Sequence, residues 1–404
     1  MTRVIIAGVS TRAAAESAAR AGFDVTALDG FADRDQHPFV RSLSLSRDVG
    51  VAFTARAAAA AADTIGADAV AYLSNFENDP EAVAMLAARR RLWGNPPEVL
   101  RRCRDPFRVA AIFRAHGLPT PHIASANDLN DSNESNDSND SNDSHAWLVK
   151  PRSSGGGHGI RAWRPGTEVR RWQYAQQRID GVPGSIVFVA AAGRVAVLGV
   201  SRQLIGDARF GAGGYRYCGS ILAPVSDPQF TAGEDLVRSA RTLADVAAAD
   251  LSLVGVNGID FVARRGVAYA VEINPRWSAS MELVERASGR SLFAAHAAAC
   301  DRLDPGTDIA APARALGKAV VFARDGVVIG DTDDWLRDPD VRDVPHAGEM
   351  IAAGDPVCTV LTEATNAAAC EAALVSRAES IYARLDRWAD PSAHSTHDSR
   401  LTND

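Results

Sequence analysis

No run in this sequence approaches the roughly 18 apolar residues that a membrane-spanning helix needs. The apolar stretch near the start, within MTRVIIAGVSTRAAAES, is too short for a secretory leader and runs directly into polar residues. Cysteine is sparse. Cys103, Cys218, Cys300, Cys358 and Cys370 are an odd number, widely scattered, with no CxxC pair. This excludes a disulfide framework and a zinc site and fits a reducing compartment, so the sequence reads as soluble and cytoplasmic. An excess of positive charge is missing too. The formal net charge is -7, but residues 127–144 hold six acids and no Lys or Arg, which leaves the remainder near neutral. Such a body has no nucleic-acid footprint.

Also missing is the G-x-G-x-x-G turn of a dinucleotide-binding βαβ unit, because the first turn reads AGVSTR with one glycine. The surrounding pattern is nevertheless α/β, and 404 residues with 46% hydrophobic content can bury two or three domain cores. RVIIAGV (3–9) reads as a buried strand. STRAAAESAARAG reads as a helix with Ser10 or Thr11 as N-cap and Gly22 as C-cap. FDVTALDG is a second strand ending in Asp29, an acid expected to be solvated. GADAVAYLS (66–74) adds a strand and DPEAVAMLAARRRL (79–92) a helix. This order predicts a doubly wound parallel sheet over 1–103.

RDPFRVAAIFRAHGLPTPHI (104–123) then reads as a helix, a glycine stop and an extended segment. From 146 onward short strands alternate with glycine turns, which is antiparallel β character. Helices are expected over 232–250 and 279–300, with a hairpin over 258–274 between them. Residues 301–390 read as a small β-rich and helical subdomain, and 391–404 as a frayed tail. The Asn/Asp/Ser repeat at 127–144 can form no core and lacks the ligand spacing of a Ca²⁺ loop, so it reads as a disordered insertion.

Two stretches carry chemistry. In LVKPRSSGGGHGI, Lys150 ends a strand and is followed by Ser153, Ser154, Gly155, Gly156, Gly157, His158 and Gly159. The glycines leave backbone N–H groups bare, so the loop can fold closely around phosphate oxygens that Lys150 also reaches. This is no Walker A sequence: the lysine precedes the glycines and a strand follows them. Taken alone, the stretch is equally a flexible hairpin loop. In GVNGIDFVARRGVAYAVEINPRWSAS, Asp260 lies on one strand of a hairpin, and Glu272 and Asn274, two residues apart, share a face of the other. Three hard oxygen donors suit Mg²⁺ or Mn²⁺ bound together with a triphosphate. Arg276 has the same parity and adds a cation.

Together these stretches resemble the ATP-grasp superfamily, with LVKPRSSGGGHGI as the lysine and glycine-rich flap and GIDFV…VEINPR as the metal-binding ribbon. The resemblance covers about residues 1–300. It implies an α/β and α+β architecture: a doubly wound pre-ATP-grasp domain (1–103), an ATP-grasp domain (104–300) and a β-rich C-terminal cap. It implies ATP and Mg²⁺ as cofactors, with Lys150 on the α/β-phosphates and Ser153–Gly159 as a lid over the β/γ-phosphates. Asp260, Glu272 and Asn274 would hold one or two Mg²⁺, and Arg276 would stabilise an acyl phosphate.

YAQQRIDGVPGSIVFVA matches the family's adenine and ribose segment, which implicates Gln176, Gln177 and Ile179 at adenine and Asp180 at the ribose. Arg202 and Gln203 lie where a further strand lines the site. His158 touches a phosphate or substrate, or is a plain exposed residue. Tyr215, Tyr217 and Trp277 line an acceptor pocket or merely pack. One position departs from the pattern: RDPFR places Pro106 where many members carry a first lysine. That leaves Arg104 or Arg108 as substitutes that are not positional equivalents.

A narrower resemblance rests on AGVSTRAAAESAARAGFDVTALDGFADRD, GGYRYCGSILAP and PHAGEMIAAGDPVCTVLTEA. It is to ATP-dependent carboligases associated with one-carbon metabolism and related to ligases that join amines to glutamate, such as tyramine–glutamate ligase. The implied reaction is carboxylate–amine ligation through an acyl phosphate, forming a C–N bond. The implied partners are a small-molecule carboxylate and an amine, with no nucleic acid and no membrane; a homodimer is compatible, dimers being common in the superfamily. The alternatives are a kinase or carboxylase-like activity, against which the lack of a Met-Lys-Met biotin-carrier sequence weighs, and a non-catalytic nucleotide-binding regulator. The tail pattern reads as a structural, barrel-like cap.

Overall fold

The computed structural model describes residues 1–125, 146–164 and 168–389. The insertion at 127–144 and the tail at 391–404 lie outside these residues. Strands β1 (Arg3–Gly8), β2 (Asp24–Asp29), β3 (Val40–Ser44), β4 (Ala69–Tyr72) and β5 (Arg91–Trp93) form a parallel sheet in the order β3-β2-β1-β4-β5. β1 is apolar on both faces because both are covered. Ile5 and Ala7 share a core with helices α2 (Ala55–Ala62) and α3 (Pro80–Ala87), while Val4 and Ile6 share one with α1 (Arg12–Arg20). The chain winds outward from β1 to β3 and returns at β4, so the carboxyl ends of β1 and β4 adjoin at the switch point where ligands collect in such sheets.

Several local expectations are corrected. The helix read over 79–92 ends at Ala87, and Arg91–Trp93 instead pair with β4 as an edge strand. Thr11 is the N-cap of α1, but its hydroxyl donates to Asp29 Oδ2 (2.6 Å) rather than capping the helix. Asp29 is not solvated. It is buried and accepts from the amides of Thr11, Phe31 and Ala32, and burial still pushes its carboxyl above the ordinary value.

Helices α4 (Pro97–Cys103) and α5 (Pro106–Ala115) lead into a second sheet. Asp105 caps α5 by accepting from the amides of Phe107 and Arg108, and Pro106 takes the first helical position, where its missing N–H costs nothing. The second sheet is antiparallel, with β6 (Ile123–Ala124), β7 (Trp147–Pro151), β8 (Arg161–Ala162) and β9 (Gln173–Gln177) in the order β6-β9-β7-β8.

The largest sheet draws on β10 (Val182–Ala191), β11 (Arg194–Ile205), β12 (Tyr217–Leu222), β13 (Gly255–Arg264), β14 (Val267–Asn274) and β15 (Ala315–Phe322). Of the strands that follow, β16 (Val327–Val328) and β18 (Met350–Ile351) pair with each other, whereas β17 (Val341–Arg342) and β19 (Pro356–Ala364) join the large sheet. Its order is β14-β13-β10-β11-β12-β15-β19-β17. Alternation along β10 divides two cores. Ile186, Phe188 and Ala190 pack with α6 (Gly233–Leu251), while Val187, Val189 and Ala191 pack with α7 (Met281–Ser288), α8 (Leu292–Cys300) and the parallel sheet. The one helix expected over 279–300 is thus two, because Gly289 adopts φ 68° and ends α7.

The C-terminal strands do not close into a barrel. They extend the large sheet and are covered by α10 (Ala367–Ala389), through Cys370, Leu374 and Ala378, after a short helix α9 (Asp333–Arg337). All five cysteines are free, and among the described residues no helix is long and apolar enough to cross a membrane.

Candidate active site

The three sheets surround a cavity of about 960 Å³. Its floor is the β13–β14 ribbon. The register sets Asp260 opposite Glu272 and Gly258 opposite Asn274, with a bulge just after Asp260 that re-aims the side chains there. Gln203 Nε2 donates to Asp260 Oδ1 (2.9 Å) and Asn274 Nδ2 donates to Asp260 Oδ2 (3.0 Å). Burial and the charge on Glu272 push the Asp260 carboxyl up to about 6. Burial works equally against Glu272, but Arg104 and Lys150 outweigh it and hold that carboxylate below its ordinary value. Among the described residues no three His, Cys, Asp or Glu side chains converge as a metal-binding group. A divalent cation here would be held by two carboxylates and an amide, with the ligand's oxygens completing the shell. That hard, oxygen-only donor set fits Mg²⁺, which keeps few protein ligands.

Lys150 projects from β7, buried, toward the same carboxylates. Its Nζ donates to Gln176 Oε1 (3.2 Å) and lies 5.9 Å from the centre of the Tyr174 ring. Burial works against the ammonium, yet Tyr174 and Glu272 keep its pKa above the ordinary value. Arg104 supplies a further cation. It donates to Glu272 Oε1 (2.5 Å) and to the carbonyls of Arg152 (3.2 Å) and Ser154 (2.9 Å), so it ties the ribbon to the root of the glycine loop. Arg108 is exposed, so of the two substitutes for the missing first lysine the fold brings Arg104 to the site.

The glycine loop lies against the turn before β12. Tyr217 N donates to Gly156 O (3.0 Å), and Gly157 adopts φ 81°. A Cβ on Gly157 would sit 1.8 Å from Tyr215 O, so only glycine can seat there. His158 Nε2 is 3.4 Å from Arg216 Nη2, and the Arg216 guanidinium stacks 4.2 Å over Phe322 and bonds to Gly354 O.

Most of the residues singled out in the sequence share this cavity: Lys150, residues 153–158, Gln176, Gln177, Ile179, Asp180, Asp260, Glu272, Asn274 and Arg276, with Tyr215, Tyr217 and Trp277. Gly159 does not line it and instead lets the loop pass Pro151. Gln176 is committed to protein partners, accepting from Lys150 and donating to Val271 O (3.2 Å). The Asp180 carboxylate is exposed and pairs with Arg178 (3.4 Å). Arg202 is not at the site. It points to the other face of β11 and pairs with Glu371 of α10.

Other cavity residues escaped the sequence reading. Arg276 donates through Nε (2.9 Å) and Nη2 (2.7 Å) to Glu77 Oε1, a buried acid in the loop after β4 whose Oε2 has no hydrogen-bond partner among the described residues. The switch-point rule for parallel sheets points to that loop. At the other end of the cavity stand Arg12, Glu282, Lys318 and Asp343. One signal for Lys318 was available: the sequence has two lysines in all, Lys150 and Lys318.

Residues 103–280 match the family model of the ATP-grasp domain. No curated protein sequence matches the chain. Among solved structures, it is similar to an L-amino acid ligase from Bacillus licheniformis (18% identity, TM-score 0.67, 94% of this chain and 97% of that one). It is also similar to a biotin carboxylase from Campylobacter jejuni (14% identity, TM-score 0.70, 97% and 96%). A third is N5-carboxyaminoimidazole ribonucleotide synthetase from Thermus thermophilus (19% identity, TM-score 0.64, 95% and 98%). At these identities the likeness is one of fold: the chain has the ATP-grasp fold, mixed α/β, over nearly its whole length.

Proposed function

We propose that the chain is a Mg²⁺- and ATP-dependent ligase that joins a small-molecule carboxylate to an amine. The observation that supports it best is the convergence of Lys150, the glycine loop, Asp260, Glu272, Asn274 and Arg276 on one cavity. Such catalysis is positioning plus charge neutralisation, and needs no nucleophilic side chain. Lys150 binds the α/β-phosphates and the loop over Ser153–Gly159 excludes water. Asp260, Glu272 and Asn274 hold the divalent cation, which when bound offsets phosphate charge. Arg276, oriented by Glu77, stabilises the charge that develops on the acyl phosphate. The L-amino acid ligase among structures of this fold supports a C–N bond-forming reaction.

The narrower sequence resemblance supports a role in assembling a one-carbon carrier cofactor, and the cysteine usage supports a cytoplasmic enzyme. We take a homodimer as its working assembly. The biotin carboxylases of this fold favour a second reading, carboxylation, and one assay separates the two. ADP and phosphate release with Mg²⁺-ATP is measured across organic acids, amines, pterin and furan precursors, amino acids and bicarbonate. The ligase requires an acid and an amine together, whereas a carboxylase responds to bicarbonate. Glu272→Ala abolishes the activity; turnover that survives it, or a chain that calorimetry finds blind to Mg²⁺-ATP, refutes the proposal.

A further inference from the structure

The sequence contains 43 basic residues, of which two are lysines. Both are buried, Lys150 at 7% exposed and Lys318 at 6%, and both line the same cavity. Arginine is a rigid planar fork, whereas lysine is a compact point charge with three donors. A chain that otherwise uses arginine places its only two side-chain ammonium groups at the two ends of one chamber. Lys318 is no second phosphate ligand. β13, which carries Asp260, and β15, which carries Lys318, are separated by β10, β11 and β12, a span of about 19 Å at normal strand spacing.

Lys318 Nζ donates to Glu282 Oε2 (2.5 Å), its one hydrogen-bond partner among the described residues. The other oxygen of Glu282 accepts from Arg12 Nη2 (2.5 Å), and Arg12 Nε donates to Asp343 Oδ1 (2.7 Å). The four side chains form a row, Lys318–Glu282–Arg12–Asp343, in which Arg12 is also paired with Glu16 (3.3 Å) and Asp35 (3.4 Å). Its inner members are held from both sides and its ends from one. Lys318 retains two N–H groups, and Asp343 Oδ2 has no hydrogen-bond partner among the described residues. Both ends face the cavity. Burial opposes ionisation of Asp343, but Arg12 and Lys318 keep it a carboxylate. A buried ammonium with spare donors is costly unless a ligand completes it, and the partly exposed Asp343 carboxylate turns a spare acceptor to the same cavity. The complement is a carboxylate and an ammonium on neighbouring atoms.

We propose that Lys318 and Asp343 form a subsite for the zwitterionic head group of an amino-acid co-substrate, at the end of the cavity away from the triphosphate. The proposal rests on the ligase reading and deepens it. Strand β15, which carries Lys318, and the bend after β17, which carries Asp343, are then part of the active-site wall.

The test is thermal unfolding of the full chain with Mg²⁺ and a non-hydrolysable ATP analogue. The probe is a mixture of the proteinogenic amino acids, with propionate and propylamine as single-charge controls. The amino acids stabilise wild type and the controls do not. Lys318→Met and Asp343→Asn weaken the amino-acid response roughly tenfold or more while keeping the nucleotide response, since each removes one charge-assisted hydrogen bond. Should Asp343→Asn fail to fold because it unpairs Arg12, Lys318→Met alone decides. The inference is overturned if the mixture acts no better than the controls, or if Lys318→Met responds like wild type. If the nucleotide analogue stabilises nothing, it is the ligase reading that fails.

Discussion

Substituting Gly157 by alanine tests the loop as a seated cover. The new Cβ would stand 1.8 Å from Tyr215 O and 2.6 Å from its carbonyl carbon. Those are backbone atoms, fixed by Tyr217 N to Gly156 O and by Gly206 N to Arg216 O (2.7 Å), so neither can swing away as a side chain could. The φ of 81° adds strain for any L side chain. Left-handed backbone costs about 1–2 kcal/mol and overpacking about 1–3 kcal/mol, so roughly 3 kcal/mol opposes the seated loop. That lowers its population roughly a hundredfold relative to the unseated form. Gly155→Ala is the control, because its Cβ meets nothing within 4 Å and its φ is not left-handed. We expect kcat/KM for ATP, read by ADP release, to fall by that order in Gly157→Ala and to stay near wild type in Gly155→Ala. Limited proteolysis at 153–159 without substrates should accelerate in the first variant only. Equal behaviour of the two, harmless or damaging, would refute the reasoning.

Two further outcomes follow from buried charges. Glu77→Ala leaves the Arg276 guanidinium buried without its carboxylate and should cost about 3–5 kcal/mol in urea unfolding; a variant as stable as wild type contradicts the pairing. His296 is buried, with Nδ1 accepting from Val256 N (3.0 Å) and Nε2 donating to Trp93 O (3.2 Å), and burial depresses its pKa to about 4. Above the unfolded value of 6.5 both states are neutral. As pH falls from there toward 4 the unfolded chain gains a proton that the fold refuses, so about 3 kcal/mol of stability is lost across that window. His296→Gln should remove that part of the pH dependence, and an unchanged profile would exclude His296 as its source.

The parts of the site that were legible are those in which chemistry and neighbouring positions coincide. The glycine loop after Lys150 and the two-residue spacing of Glu272 and Asn274 are local patterns, and strand parity alone places the latter pair on one face. Glu77, Arg12, Glu282 and Asp343 were not legible, since each gains meaning from a partner brought close only by packing, as Arg276 is for Glu77. Asp29 misled in part for the same reason: the Thr11 amide and hydroxyl meet it only when the first two strands pair, while Phe31 and Ala32 supply local amides. Element ends were blurred where periodicity continued through a break, at Gly289 and again between Ala87 and Arg91.

The unbroken hydrogen-bonded path from β13 to β15 turns the large sheet into a ruler. Antiparallel strands resist lateral stretching, so the chamber cannot lengthen to welcome a longer molecule or shorten to suit a smaller one. Homologous compounds differing by single methylenes should therefore be sorted by length, with the correct one presenting its reactive atom at the Asp260 end and the others falling short of it or buckling.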